Sequence, residues 1–414
     1  MKSASVAICK CENYNFDQLY SAVCQVAEAG LMPSVKGKSV LLKPNILSDA
    51  KPEDCITTNP EFVRAVIKLL KSQDVSKIYV GDSPGLQSPS FEGKNCGIYD
   101  VCVQEGATWV DFTKDPVLKH IQGTSKKLYM ANIIDQVDMV FSLSKFKTHQ
   151  LMYTTGAVKN LFGTIPGLHK STCHVKCPNR ESFARLIVGI HETIKPAFAF
   201  MDAVIGMEGA GPANGTPRPI GLVMGSASCL ALDWAEGVIM GYEPMQLPIW
   251  AEASRRHILP SEITYPLLDA NSLVIKDFKR IAVEKKTHFF KALVLPFFTR
   301  GLQKKQQRKE PRPLFDDSSC IRCGRCVNIC PAKALSFEDM AGSAGAGSQA
   351  IGASSGAGAG SHAVGASSGG SAAGGAGGAK YKKHIVADYS KCIRCYCCHE
   401  MCPADAIKIE RKEK

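Results

Sequence analysis

What this 414-residue chain lacks narrows its class before any motif is read. No run of ~18 apolar residues occurs, so no transmembrane helix is expected. Met1–Lys10 has no apolar stretch of the kind a secretory leader carries, which points to a cytoplasmic protein with reduced thiols. There is no G-x-G-x-x-G opening a first βαβ unit and no G-x-x-x-x-G-K-[ST], so neither a dinucleotide fold nor a P-loop is supported. The segment Gly81-Asp82-Ser83-Pro84-Gly85 holds a serine without the G-x-S-x-G elbow, and hydrolase chemistry is not indicated. Aromatic residues are scarce, at 7%, and do not interleave with the cations, so the net charge of +12 does not argue for nucleic acid.

Cysteine, by contrast, is abundant: 18 residues, eight of them in two runs of one pattern. The first is Cys320-x-x-Cys323-x-x-Cys326-x-x-x-Cys330-Pro331, and the second is Cys392-x-x-Cys395-x-x-Cys398-x-x-x-Cys402-Pro403. Thiolates at these intervals wrap a cubane iron–sulfur cluster, and in two-cluster ferredoxins the fourth cysteine of each run serves the other centre. That rule assigns Cys320, Cys323, Cys326 and Cys402 to one [4Fe–4S] cluster, and Cys392, Cys395, Cys398 and Cys330 to the second. Zinc is the rival reading, but tetrahedral zinc wants two close cysteine pairs rather than this rhythm twice over. Two exposed clusters further suggest an anaerobic setting and an electron-transfer role.

Two compositional breaks organise the rest. Arg300–Arg312 carries six cations against one anion and reads either as a solvated linker (residues 301–313) or as a docking surface for an acidic redox partner or a membrane face. The apolar stretch His288–Phe298 just before it could bury against the body or lie on a bilayer. Ala341–Ala379 is almost only Gly, Ala and Ser and cannot build a core. It falls between the two cysteine runs, so it reads as an insertion into a ferredoxin-like domain spanning 314–412. Loop closure grows only logarithmically with length, at a cost on the order of 2 kcal/mol here, which bound clusters can offset.

Residues 1–300 alternate strand and helix patterns. Apolar runs at Ser39–Leu42, Lys77–Val80, Met139–Ser144, Ala197–Met201 and Gly221–Gly225 are separated by helical periodicity at Phe16–Ala29, Pro60–Ser72, Arg180–Ile194 and Ser228–Met240. The pattern predicts an α/β domain with a large, mostly parallel sheet covered by helices on both faces, beside a small α+β ferredoxin-like domain. Polar groups follow the strands: Lys43-Pro44-Asn45, then Asp82-Ser83, then Lys145-Phe146-Lys147-Thr148-His149, then Asp202. In open α/β sheets the carboxyl edge is where ligands bind. Terminator residues alone explain about half of this pattern, but not the cations.

Lys145, Lys147 and His149 stand at i, i+2 and i+4 and share one face if the strand runs that far. Three protonatable groups there are costly unless an anion meets them. Thr154-Thr155-Gly156 then opens a helix carrying Lys159 and Asn160, whose first N–H groups face the same edge. A site for a carboxylate or phosphate follows, with a solvent-exposed basic loop as the alternative. Cys173-His174-x-x-Cys177 has the spacing of a partial metal site without an evident fourth ligand; otherwise His174 and His169 are loop histidines able to titrate near neutrality.

The segments VLLKPNIL, GDSPG, SLSKFKTHQLMYTTGAVKNLFGTIPG and DAVIGMEGAGP together resemble the domain of unknown function 362, with a ferredoxin pair fused behind it. The resemblance covers about residues 4–270, and the Gly/Ala/Ser insertion and the Cys397-Cys398 doublet depart from it. It implies the two-domain layout and draws attention to Lys43, Asn45, Asp82, Lys145, Lys147, His149, Lys159 and Asn160, without implying a reaction. Two functions remain. One is an oxidoreductase in which Lys43, Asn45, Asp82, Ser83, Lys159, Asn160 and Asp202 hold an anionic substrate or cofactor and Lys145, Lys147, His149 and His169 are the catalytic candidates. The other is a non-enzymatic accessory that delivers electrons to a partner protein such as a ferredoxin, flavodoxin or reductase.

Overall fold

The computed structural model describes residues 3–84, 93–167, 169–283, 311–339 and 383–410. The stretch His288–Phe298, nearly all of Arg300–Arg312, Gly85 and the Ala341–Ala379 tract lie outside the described residues.

The large domain is built on one sheet. Its strands in chain order are β1 (Ala7–Lys10), β2 (Ser39–Pro44), β3 (Lys77–Val80), β4 (Thr108–Trp109), β5 (Met139–His149), β6 (Phe198–Ala210) and β7 (Asn214–Ser226). In space they run β1-β7-β6-β5-β2-β3-β4, and a two-residue strand at Tyr153–Thr154 folds back on β5. The pairs β6–β5, β5–β2, β2–β3 and β3–β4 are parallel. The pairs β6–β7 and β7–β1 are antiparallel, so one edge of the sheet departs from the parallel rule. That edge is a hairpin, which a short turn permits and a parallel crossover does not.

The helices form where caps and periodicity coincide. In α1 (Phe16–Ala29) the Asn15 side chain accepts from Gln18 N, and in α2 (Pro60–Ser72) Asn59 accepts from Glu61 N with Pro60 as the first helical residue. A reciprocal capping box of Asn179 and Ser182 opens α5 (Arg180–Ile194), which follows α3 (Ala157–Asn160) and α4 (His169–Lys176). Ser228 caps α6 (Cys229–Ile239). The sheet is covered on both faces. Val40, Leu42 and Phe141 point to α1 and α2, packing with Val26, Phe62 and Val66. The alternate residues Leu41 and Val140 pack with Ile187, Val188 and Leu232 of α5 and α6. Each such buried side chain contributes roughly 1.5–3 kcal/mol.

The small domain pairs β8 (Arg312–Phe315) with β11 (Ile407–Glu410) and β9 (Leu335–Asp339) with β10 (Lys383–Ala387), both antiparallel. Helices α7 (Arg325–Ile329) and α8 (Cys397–Glu400) lie within the two cysteine runs and carry Cys326 and Cys398. Arg312 and Pro313, read from the sequence as the end of the linker, are the first residues of β8. The small domain docks on the large one: the Asn214 side-chain amide donates to the His399 carbonyl at 2.9 Å, and Tyr396 is buried in the core shared with α5 and α6.

Candidate active site at the domain junction

Lys43 is the penultimate residue of β2 and Asn45 follows its end, Asp82 lies just beyond β3, and α3 brings Lys159 and Asn160 to the same edge. The start of α3 is set by Asp233 of α6, whose carboxylate accepts from Ala157 N and, at 3.0 Å, from Val158 N. Gly156 must precede it, because a Cβ there would stand 2.5 Å from that carboxylate. Lys43 is fully buried and pairs with Asp82 at 2.7 Å; its ammonium also donates to Pro44 O at 2.7 Å and Asn160 Oδ1 at 3.2 Å. Burial pushes the Lys43 amine down, and Asp82 opposes the shift. Asn160 donates to Lys43 O at 2.9 Å and Ser142 Oγ at 3.1 Å, and its Oδ1 accepts from Asn45 Nδ2 at 3.2 Å. Asp82 accepts from Ile46 N at 2.6 Å and Ser83 N at 2.8 Å, while Ser83 Oγ accepts from Gly167 N at 2.7 Å.

These groups line a cavity of about 100 Å³. From the large domain it also receives His149, Lys170, His174, Phe162 and Phe183. From the small domain come Ile329, Cys397, Glu400 and Met401, so the cavity has walls from both domains. Gly163 keeps it open, since a Cβ there would meet Asp82 Oδ1 at 2.1 Å and Lys43 Nζ at 2.5 Å. The half-buried Lys159 ammonium makes no hydrogen bond or ion pair among the described residues. Lys170 donates to the Ser83 carbonyl, and burial pushes its amine down to about 7. His149 Nδ1 accepts from Leu151 N at 3.1 Å and Met152 N at 3.3 Å, which leaves the proton of the neutral ring on Nε2, 3.3 Å from Glu400 Oε1. Burial and then Lys159 and Lys147 push that imidazole well down, and burial pushes the Glu400 carboxyl up to about 7.

The strand β5 does continue through His149, but its three protonatable groups part company. Lys145 pairs with Asp202 at 2.7 Å and donates to Tyr14 Oη at 2.9 Å, so the anion that meets it is internal. Lys147 donates to the Ile56 and Pro212 carbonyls at 2.5 and 3.1 Å. Only His149 reaches the cavity. Asp202 is absorbed in the Lys145 pair and in accepting from Asn59 N at 2.9 Å. His169 lies exposed on the surface beside Tyr129, away from the cavity. His174 is stacked on Phe183 at 4.5 Å between ring centres, and burial lowers it to about 3. Cys173 donates to His169 O, and no group of three His, Cys, Asp or Glu side chains suited to a single metal ion occurs among the described residues.

Sequence reasoning passed over Lys170, Glu400 and Met401. Only the Cys397-Cys398 doublet signalled that α8 was unusual. Cys397 faces the cavity, whereas Cys398 faces the other thiols.

The donor sets fit the two expected clusters. Cys320, Cys323, Cys326 and Cys402 line one hollow of the small domain, and Ala406 N donates to Cys402 Sγ at 3.3 Å. Cys398 is pushed well up by burial and then by the thiols of Cys395, Cys392 and Cys330, its neighbours in the second set, and Ala334 N donates to Cys330 Sγ at 3.2 Å. A cubane spreads four irons over its corners, so its thiols stand further apart than ligands of a single ion.

Residues 40–236 match the family described as Domain of unknown function (DUF362), and residues 312–403 match a 4Fe-4S dicluster domain. A thylakoid-associated protein of Synechocystis sp. is 30% identical over 288 residues, which are 66% of this chain and 87% of that protein. Among solved structures, the lactate racemase apoprotein from Thermoanaerobacterium thermosaccharolyticum aligns at a TM-score of 0.38 and 12% identity, over 58% of this chain and 57% of that one. At that score the likeness does not bear on function.

Proposed function

Because the chain belongs to the DUF362 family and carries a 4Fe-4S dicluster domain behind it, we propose that this iron–sulfur protein is an oxidoreductase acting on a small anion held at the domain junction. The observation that carries the reading is a cavity lined at once by the cations of the large domain and by α8, the helix that bears a cysteine of the second cluster set. When bound, the two [4Fe–4S] clusters supply electrons one at a time. The chain's own residues do the rest. Lys159 and Lys170 attract and hold the anion, with Lys43 neutralised by Asp82 behind them. Asn160 fixes the positions of Lys43 and Asn45. Phe162, Phe183, Ile329 and Met401 exclude water, which strengthens each charge contact. His149 presents its Nε2–H on the cavity wall as a hydrogen-bond donor, and His169, exposed on the surface, does not line the cavity. Reduction from outside comes from a one-electron carrier protein.

The test is anaerobic purification with iron and sulfide counted and released small molecules identified by mass spectrometry. The reading expects about eight irons and a small anion in stoichiometric amount. About eight irons with no anion retained or bound on titration would favour delivery of electrons to a partner protein instead.

A further inference from the structure

The cavity's charge, size and hydrogen-bonding each constrain what it holds. Its cations exceed its fixed anions: Lys43 is matched by Asp82, while Lys159, which makes no ion pair or hydrogen bond among the described residues, and Lys170, bonded to a carbonyl, share the field of Glu400, whose carboxyl burial pushes up to about 7. Its volume of about 100 Å³ is small. An engineered cavity of ~150 Å³ admits benzene, so this one admits roughly four to six non-hydrogen atoms. That space matches small oxyanions and short carboxylates, and a whole nucleotide or flavin does not fit within it.

Asn45 supplies the third constraint. Its Nδ2 must face Asn160 Oδ1, because both Asn160 amide protons are used on Lys43 O and Ser142 Oγ. The Asn45 amide therefore cannot flip, and its Oδ1 is left buried with no donor among the described residues. A buried acceptor without a donor is unfavourable, and a ligand that brings a donor is selected over one that does not. Asn45 and Lys159 line the same small cavity, so in a ligand of that size the donor and the charged group lie close together.

We propose that the ligand is a small anion that also bears a hydroxyl or amino donor next to its charged group, as in a short 2-hydroxy or 2-amino acid, or a protonated oxyanion. The inference rests on the anion-site reading of this cavity but needs no redox step.

The experiment is calorimetric titration of the anaerobically purified holoprotein with glycolate, glycine and acetate, which differ in the donor and share the carboxylate. Glycolate or glycine binds at least tenfold more tightly than acetate. Asn45→Ala erases that preference, Asn45→Ser retains part of it, and Lys159→Met weakens all three alike; unchanged circular dichroism and iron content show that each variant is folded. Equal affinity for acetate and the donor-bearing acids, still lost in Lys159→Met, would overturn the donor requirement and leave the anion site standing. Absence of binding by every anion would overturn both.

Discussion

Lys43 and Asp82 sit inside the protein with almost no exposure, at 0 and 3%, and each depends on the other. Removing one partner of a buried ion pair leaves an uncompensated charge, which costs about 3–5 kcal/mol, whereas removing both together costs much less. Asp82→Asn is therefore expected to lower the thermal unfolding midpoint more than the double variant Lys43→Met/Asp82→Asn, read by circular dichroism. Equal loss in the two would show that the pair is not coupled. Lys170 gives a pH signature of known sign. Burial lowers its folded-state value to about 7, with Asp82 opposing and Lys43 and Lys159 contributing, while the unfolded chain keeps its proton to about pH 10.4. Between those limits the unfolded state binds more protons, so this group makes stability rise with pH. Anion affinity runs the opposite way, falling as pH rises through 7 and Lys170 loses its charge. Titrating acetate or glycolate from pH 6 to 9 checks this: Lys170→Met should remove part of the fall, and the rest belongs to Glu400, whose carboxyl ionises near 7 on the same wall.

Much of the element scale was legible. The apolar runs marked the starts of strands that in the structure continue through Lys43, Lys145 and Asp202, and the helical periodicity at Pro60–Ser72 and Ser228–Met240 marked helices that form there. Strand direction was not legible, because an apolar run such as Gly221–Gly225 reads the same whichever way its neighbour runs; β7 proves antiparallel. The cation row on β5 was correctly seen as costly if unmatched, but the groups that match it, Asp202 and the Ile56 and Pro212 carbonyls, come from remote segments that no local pattern links. Glu400 was hidden for the same reason. Helix α3 is the element most exposed to single changes. Asp233→Ala removes the acceptor for Ala157 and Val158 N–H and is expected to cost about 1–3 kcal/mol while displacing Lys159 and Asn160. In the turn that follows α3, Gly163→Ala forces a methyl group onto the Lys43–Asp82 pair. Both should weaken acetate binding at least tenfold in a calorimetric titration of folded, iron-loaded protein; undiminished affinity would show that the cavity does not depend on this helix.

At the scale of the whole molecule the two thiol sets are unequal. Cys323 is exposed and its neighbour Ile321 is 64% exposed, whereas Cys398 is buried and α8 turns its other side to the cavity. Each set keeps one cysteine buried, Cys326 and Cys398, but among the described residues only the first has an exposed one, Cys323, which makes that set the more accessible from solvent. Slow treatment with an iron chelator is expected to remove about half of the eight irons of a two-cluster protein quickly and the rest slowly. A single uniform phase would contradict the asymmetry. No helix among the described residues is long and apolar enough to cross a membrane.

The most direct test of the account is electron paramagnetic resonance of the reduced protein with and without a saturating small anion, repeated in a Cys323→Ser variant to identify the signal of the outer set. The account expects the anion to shift only the signal of the set formed by Cys330, Cys392, Cys395 and Cys398, and Lys159→Met to abolish the shift. Spectra unchanged by an anion that calorimetry shows to be bound would contradict the claim that the cavity and the second cluster form one site.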